Sequence, residues 1–236
     1  MAPNIDVIAF DADDILWHTE SLYSSVEAKI IPILAPYQSQ AIIEQVMHSN
    51  EIRNLEFYGY GIKSFILSLV ESAVQISQSR IPGSDILRII ELGKEMLTAK
   101  IQLLEQTQPT LDKLSSSYPL MLITKGDLNE QEPKIKRSGL LGYFKYIDVL
   151  TDKTPSSYSS LLSRYEINPA QFLMVGNSLR SDIAPVLSLG GWAVYIPYSS
   201  SWSHENASIP ESSKERYYEI KHLGELPDLL NHLVNQ

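Results

Sequence analysis

Ile5-Asp6-Val7-Ile8-Ala9-Phe10-Asp11-Ala12-Asp13-Asp14-Ile15-Leu16 is the stretch whose reading decides the fold. A short apolar, β-branched run halts at three carboxylates within four residues. A strand buried on both faces of a parallel sheet has this form, and such sheets gather ligands at the carboxyl ends of their strands. Asp11 and Asp13 are two apart, so in an extended chain their side chains project to the same side. Two carboxylates held together repel unless a cation, a proton or solvent stands between them. A strand that merely runs into an acidic turn fits the same residues, because Asp is a frequent turn residue. The remainder of the chain decides between the two.

The 236 residues leave room for one large domain, or for a core with an inserted smaller one. A composition of 44% hydrophobic and 20% charged residues is that of an ordinary folded chain. The net charge of −9 argues against broad non-specific nucleic-acid binding, which needs a basic surface. The absence of cysteine excludes disulfides, thiolate chemistry and Cys-type zinc sites. No basic segment leading into an apolar one opens the chain, and no apolar run approaches a membrane span. A cytoplasmic protein without a membrane partner is therefore expected. The five histidines are scattered without ligand-like spacing.

After Leu16 the pattern turns helical for roughly ninety residues. Leu22, Val26 and Ile30 recur every fourth position, and Pro32 predicts an end near Ile31. A second helix follows Ser39 with Ile42, Ile43, Val46 and Met47. The third carries Ile62, Phe65, Ile66, Leu69, Val70, Ala73 and Val74 on one face. Pro82-Gly83 predicts a turn and Ser84 an N-cap for the fourth, which aligns Ile86, Ile89, Ile90, Leu97, Ile101 and Leu104. Four amphipathic helices with short connections can bury their stripes against one another. This predicts an inserted helical domain over residues 17–106, with the core formed by 1–16 and 107–236.

From Pro109 strands and helices alternate. A helix over 110–116 precedes a strand over 120–123 that ends at Thr124, and a polar helix spans about 129–137. A strand over 146–150 ends near Asp152-Lys153, and a helix covers 155–165. A strand over 172–175 ends at Gly176-Asn177, and a helix runs from about Ser181 to Leu189, with Pro185 tolerable in its first turn. Residues 192–196 form one more strand, 199–213 a polar exposed loop, 217–220 an edge strand, and Leu226, Leu229, Leu230 and Leu233 mark the last helix. Repeated βα units predict an α/β fold, a Rossmann-like doubly wound parallel sheet with helices on both faces.

Four strand ends thus carry Asp11/Asp13, Thr124, Lys153, and Asn177 with Asp182. In a parallel sheet those ends share one edge, so the residues can converge. Three carboxylates, a hydroxyl and an amine suit a phosphoryl group held with a hard divalent cation such as Mg²⁺. Taken singly, Lys153 also reads as a solvated surface lysine and Thr124 as a strand-end residue bonded to its own backbone.

Together these segments resemble the four motifs of the haloacid dehalogenase-like (HAD) hydrolase superfamily. Phe-Asp-Ala-Asp-Asp-Ile-Leu resembles the first, the strand ending in Thr124 the second, Asp152-Lys153-Thr154-Pro155 the third, and Val-Gly-Asn-Ser-Leu-Arg-Ser-Asp the fourth. The order agrees, the resemblance covers essentially the whole chain, and the helical insertion is similar to the family's C1-type cap. The resemblance implies that Asp11 attacks phosphorus to form an aspartyl-phosphate and that Asp13 is the general acid/base. It implies phosphate binding by Thr124, Lys153 and, more ambiguously, Lys125. It further implies Mg²⁺ held by Asp182, the Asp11 side chain and the Asp13 carbonyl, with Asn177 coordinating or orienting. Ile15 stands where Thr or Val is usual, and Asn177 replaces the frequent first acid of the fourth motif.

The resemblance implies a phosphatase for a small phosphorylated metabolite. Asp13 argues against dehalogenation, because dehalogenases of the family lack this second acid. A phosphosugar mutase uses the same motifs, and a catalytically idle phosphate-binding or interaction protein would be marked by a missing nucleophile or acid, which is not the case here. Two stretches of the insertion are candidates to reach the substrate: Trp17-His18-Thr19-Glu20, and 54–61 with Tyr58-Gly59-Tyr60-Gly61. In the second, tyrosine hydroxyls and permissive glycines suit ligand contact, while a plain interhelical turn with the tyrosines packed on the bundle also fits the residues. The chain is expected to be a monomer or a small homo-oligomer.

Overall fold

The computed structural model describes residues 4–198, 205 and 207–234. The chain divides into two compact units. One comprises Met1–Glu20, Ile101–Lys125 and Gln131–Gln236, the other Ser21–Lys100 and Gly126–Glu130.

The first unit is built on a six-stranded parallel sheet: β1 (Val7–Phe10), β2 (Leu120–Lys125), β3 (Phe144–Leu150), β4 (Phe172–Gly176), β5 (Trp192–Tyr195) and β6 (Tyr217–Glu219), in the order β3-β2-β1-β4-β5-β6. β1 lies between β2 and β4, with Phe10 beside both Leu122 and Val175. Strand side chains alternate between two apolar layers. Ile8, Phe10, Leu120, Leu122, Leu173 and Val175 pack with Leu111, Leu114, Leu226 and Leu230. Val7, Ala9, Met121, Ile123, Phe172 and Met174 pack with Tyr158, Leu161, Leu162 and Val186. Both faces are covered, so the strands read as unbroken apolar runs rather than alternating ones.

Four helices build the second unit: α1 (Glu20–Leu34), α2 (Gln40–Tyr58), α3 (Ile62–Ile76) and α4 (Gly83–Thr98). They enclose Val26, Ile30, Leu34, Ile43, Met47, Phe65, Leu69, Ala73, Ile89 and Met96. The sheet is flanked by α5 (Thr107–Ser115), α6 (Leu128–Arg137), α7 (Pro155–Arg164), the short α8 (Ala184–Ser188) and α9 (Leu226–Val234).

Several sequence expectations are corrected. α1 continues through Pro32 to the buried Leu34. In the last turn proline forfeits one helical hydrogen bond, and the ladder resumes with Ala35 N–H donating to the Ile31 carbonyl at 2.9 Å. Residues 54–58 are the end of α2 rather than a turn. Their buried member is Asn54, whose amide donates to Ser68 Oγ at 3.1 Å and Glu71 Oε2 at 2.7 Å. The N-cap of α4 is Pro82, so Ser84 lies inside the helix. Ile42, Val74 and Ile90 lie exposed.

The unit boundary also differs from 17–106. Trp17 is fully buried in the sheet unit's core, and Ile101 and Leu103 pack against the same cluster. Leu104 N–H bonds to the Leu16 carbonyl, past the end of α4. A wide π-type turn, Leu179–Ile183, replaces the predicted start of the helix before α8, and Pro185 falls at the opening of α8. Of the loop expected at 199–213, residues 199–204 and 206 lie outside the described residues, and 211–216 is a 3₁₀ segment. Among the described residues no helix is long and apolar enough to cross a membrane.

Candidate active site

β1 ends because Asp11 follows it. The Asp11 N–H still bonds to the Val175 carbonyl at 2.9 Å, which seats its side chain beside the end of β4. Thr154 N-caps α7, its hydroxyl accepting from Ser157 N–H while Ser157 Oγ accepts from Thr154 N–H; this box fixes the turn that carries Lys153. Lys153 Nζ donates to Asp11 Oδ1 and to Asp182 Oδ1, each at 2.6 Å. The Lys153 and Asp182 side chains are 2% and 1% exposed. Asp182 comes from the π-type turn, and Ser178 N–H donates to its Oδ2 at 3.1 Å. Gly176 makes room for it: a Cβ there would lie 2.2 Å from Asp182 Oδ2.

Two buried carboxylates therefore share one ammonium. Burial raises the Asp11 pKa; Lys153 opposes this and Asp182 reinforces it, leaving the pKa at about 7. Burial works against the charge of Lys153, but Asp11 and Asp182 outweigh it and raise the lysine's pKa. Thr124, at the end of β2, is 1% exposed, and its Oγ1 has no hydrogen-bond partner among the described residues. The cleft at these strand ends has a volume of about 170 Å³ and is lined by Asp11, Asp13, Thr124, Lys153, Asn177 and Asp182 among others.

Asp13 also lines the cleft, but its carboxylate bonds elsewhere. It accepts from Trp17 Nε1 and Thr19 Oγ1 at 2.7 Å and from Lys134 Nζ at 2.5 Å. Burial would raise its pKa, and Lys134 with these hydrogen bonds brings it down to about 2. Asp14, the third acid, adopts a left-handed backbone (φ 59°), and its carboxylate accepts from the N–H groups of Thr19 and Glu20 where α1 begins.

Lys125 Nζ donates to Ser181 Oγ at 2.9 Å and to Glu205 Oε1 at 2.7 Å. Tyr58 and Tyr60 belong to the helical unit. Tyr58 is 54% exposed, with its ring against Phe57, and neither tyrosine is among the residues lining the cleft. The neighbouring Gly61 (φ 126°) admits the Glu130 carboxylate, which accepts from Ile62 N–H at 2.9 Å.

Sequence reasoning passed over Lys134, Gln131, Ser178, Ser181 and Glu205. A signal existed for the first two. In a fold that covers its sheet with helices, residues 128–137 carry almost no apolar stripe, so this helix has to bury polar groups. Glu205 lies in a polar stretch with no periodicity to mark it.

A parallel sheet with an acid–lysine–acid cluster at its carboxyl edge defines an α/β enzyme whose chemistry sits at the strand ends. The chain belongs to the haloacid dehalogenase-like hydrolase family, whose model matches residues 5–190. It is 25% identical over 241 residues to rat N-acylneuraminate-9-phosphatase, covering 96% of this chain and 94% of that protein. The human protein of that name is 28% identical over 145 residues, 59% of this chain and little more than half (56%) of the relative. A crystal structure of a haloacid dehalogenase-like family hydrolase from Xanthomonas campestris is 35% identical and superimposes with a TM-score of 0.86, covering 99% of this chain and 94% of that one.

Proposed function

We propose that this hydrolase is a Mg²⁺-dependent phosphatase that cleaves a small phosphate monoester through a phosphoryl group carried transiently on Asp11. The observation that carries the reading is Lys153 held 2.6 Å from both Asp11 and Asp182, in a cleft also lined by Thr124, whose buried hydroxyl has no hydrogen-bond partner among the described residues. The hydroxyl and the ammonium are donors placed for phosphoryl oxygens.

The donor set suits Mg²⁺. Among the described residues no three His, Cys, Asp or Glu side chains gather at one point. The Asp11 and Asp182 carboxylates, the Asn177 amide oxygen and the Asp13 carbonyl would give Mg²⁺ an all-oxygen set, with water completing the shell. Bound there, the ion would offset the carboxylate charge that Lys153 leaves unbalanced and favour ionised Asp11.

Asp11 forms an O–P bond as the ester O–P bond breaks, and the leaving oxygen takes a proton from Asp13. Water then attacks phosphorus, gives its proton to Asp13 and frees Asp11 and phosphate. The Lys134 ammonium and its hydrogen bonds favour the anionic form of Asp13. A phosphoryl dianion at Thr124 and Lys153 raises its proton affinity by like-charge repulsion, so that it can enter the cycle as an acid.

The test is phosphate release from a panel of esters that includes an N-acylneuraminate 9-phosphate, chosen because relatives carry that name. Wild type should turn over with Mg²⁺ and fall silent in EDTA. Asp11→Asn should stay folded and lose at least about 10³-fold in kcat. Equal activity of wild type and mutant removes Asp11 as nucleophile. Silence on every ester, with interconversion of phosphosugar isomers, moves the reading to a mutase.

A further inference from the structure

Lys153 and Lys134 divide Asp11, Asp13 and Asp182 between them. Lys153 serves Asp11 and Asp182. Asp13 pairs with Lys134, whose side chain is only 12% exposed. Lys134 Nζ also donates to Thr19 Oγ1 at 3.0 Å and lies 5.7 Å from the centre of the Trp17 ring. Gln131, one helical turn earlier on α6, donates through Nε2 to Asp13 Oδ2 at 3.2 Å and to the Lys125 carbonyl at 3.3 Å. Residues three apart on a helix share a face. One face of α6 thus reaches both oxygens of the same carboxylate.

We infer that Lys134 is a positioning residue for Asp13, with Gln131 as its second contact. A carboxylate two residues from Asp11 would otherwise compete for Lys153. Giving Asp13 its own cation, on a helix rather than a loop, fixes where its oxygens point while leaving Lys153 to the phosphoryl end. This inference rests on the reading of Asp13 as the proton-transfer group, and the test separates the two.

Lys134→Met should lower kcat on an alkyl phosphate by about 10- to 100-fold, part of what a general acid supplies, with KM changed by less than about threefold. p-Nitrophenyl phosphate, whose leaving oxygen needs little protonation, should lose much less. Lys134→Gln, which keeps a donor within reach, should fall between Lys134→Met and wild type, and it guards against a variant that does not fold. In the Asp13→Ala background Lys134→Met should cost nothing further. The same loss in both backgrounds, or a change in KM alone, overturns the inference.

A second readout needs no turnover. The Trp17 indole N–H donates to Asp13, so its ¹⁵N–¹H resonance should move in Lys134→Met as it does in Asp13→Ala, and move little more in the double variant. An unmoved resonance overturns the positioning role. If wild type releases no phosphate while the resonance behaves as expected, the phosphatase reading fails and the positioning of Asp13 stands.

Discussion

Glu205 is held by Lys125, Ser178 and Ser181, side chains from two other segments. Burial would raise its pKa from 4.5, but the Lys125 charge and the three hydrogen bonds bring it down to about 2. A depressed carboxylate contributes stability that is complete above its unfolded pKa and is lost as pH falls towards the folded one. Glu205→Gln should therefore cost about 1–3 kcal/mol at pH 7, and the deficit should shrink between about pH 4.5 and pH 2. Thermal melts of both proteins at pH 7, 4 and 3 check this; a deficit independent of pH would assign the loss to packing. Asp11, Lys153 and Asp182 were legible in the sequence because each residue type closes a strand or its following turn, in an order the fold brings together. Glu205 was not, because its place depends on where a non-periodic segment returns to the sheet edge. Lys125 was legible as a residue near the site, but not as the partner of Glu205.

At the level of elements, β4 and the turn after it illustrate how a backbone choice sets a side chain. Asp182 lies so close to Gly176 that any Cβ there must displace it. Gly176→Ala should lower stability by about 1–3 kcal/mol and kcat by up to about 10²-fold, because the carboxylate is pushed from its place beside Lys153. Stability and activity both unchanged would show that the strand end has slack. Elements with a continuous apolar stripe, such as α3, were readable from periodicity alone. α2 was readable only in part, because its buried face continues from Ile43 and Met47 into Asn50 and Asn54. Those amides meet Ser72 and Ser68 of α3, at 2.9 Å and 3.1 Å. A buried polar seam is invisible to a hydrophobic pattern, so the apolar positions mark this helix only as far as Met47. Pro32 also suggests too early an end, for α1, since its cost depends on which turn of the helix it occupies.

Across the whole molecule, the parallel α/β sheet follows from sequence logic more closely than the unit edges do. Alternating βα segments leave few arrangements for a parallel sheet. The edges depend on single residues such as Trp17 and Leu103, whose burial a pattern does not assign. One consequence lies in the path of the chain. The sheet unit is interrupted by residues 21–100, so the contacts that make the site span long loops: Lys153 to Asp11 crosses 142 residues and Lys134 to Asp13 crosses 121. The helical unit is mostly one continuous segment. Contacts between distant residues must overcome loop-closure entropy before they return any stabilisation, and they form slowly. Pulse-labelled hydrogen exchange during refolding should show amides of α3 and α4 protected before those of β1; simultaneous protection would mean the chain folds as one cooperative unit. The order carries a hazard, because a newly made chain would hold a finished helical unit while β1, an unbroken apolar strand that leads into Asp11, still waits for β2 and β4 to be synthesised.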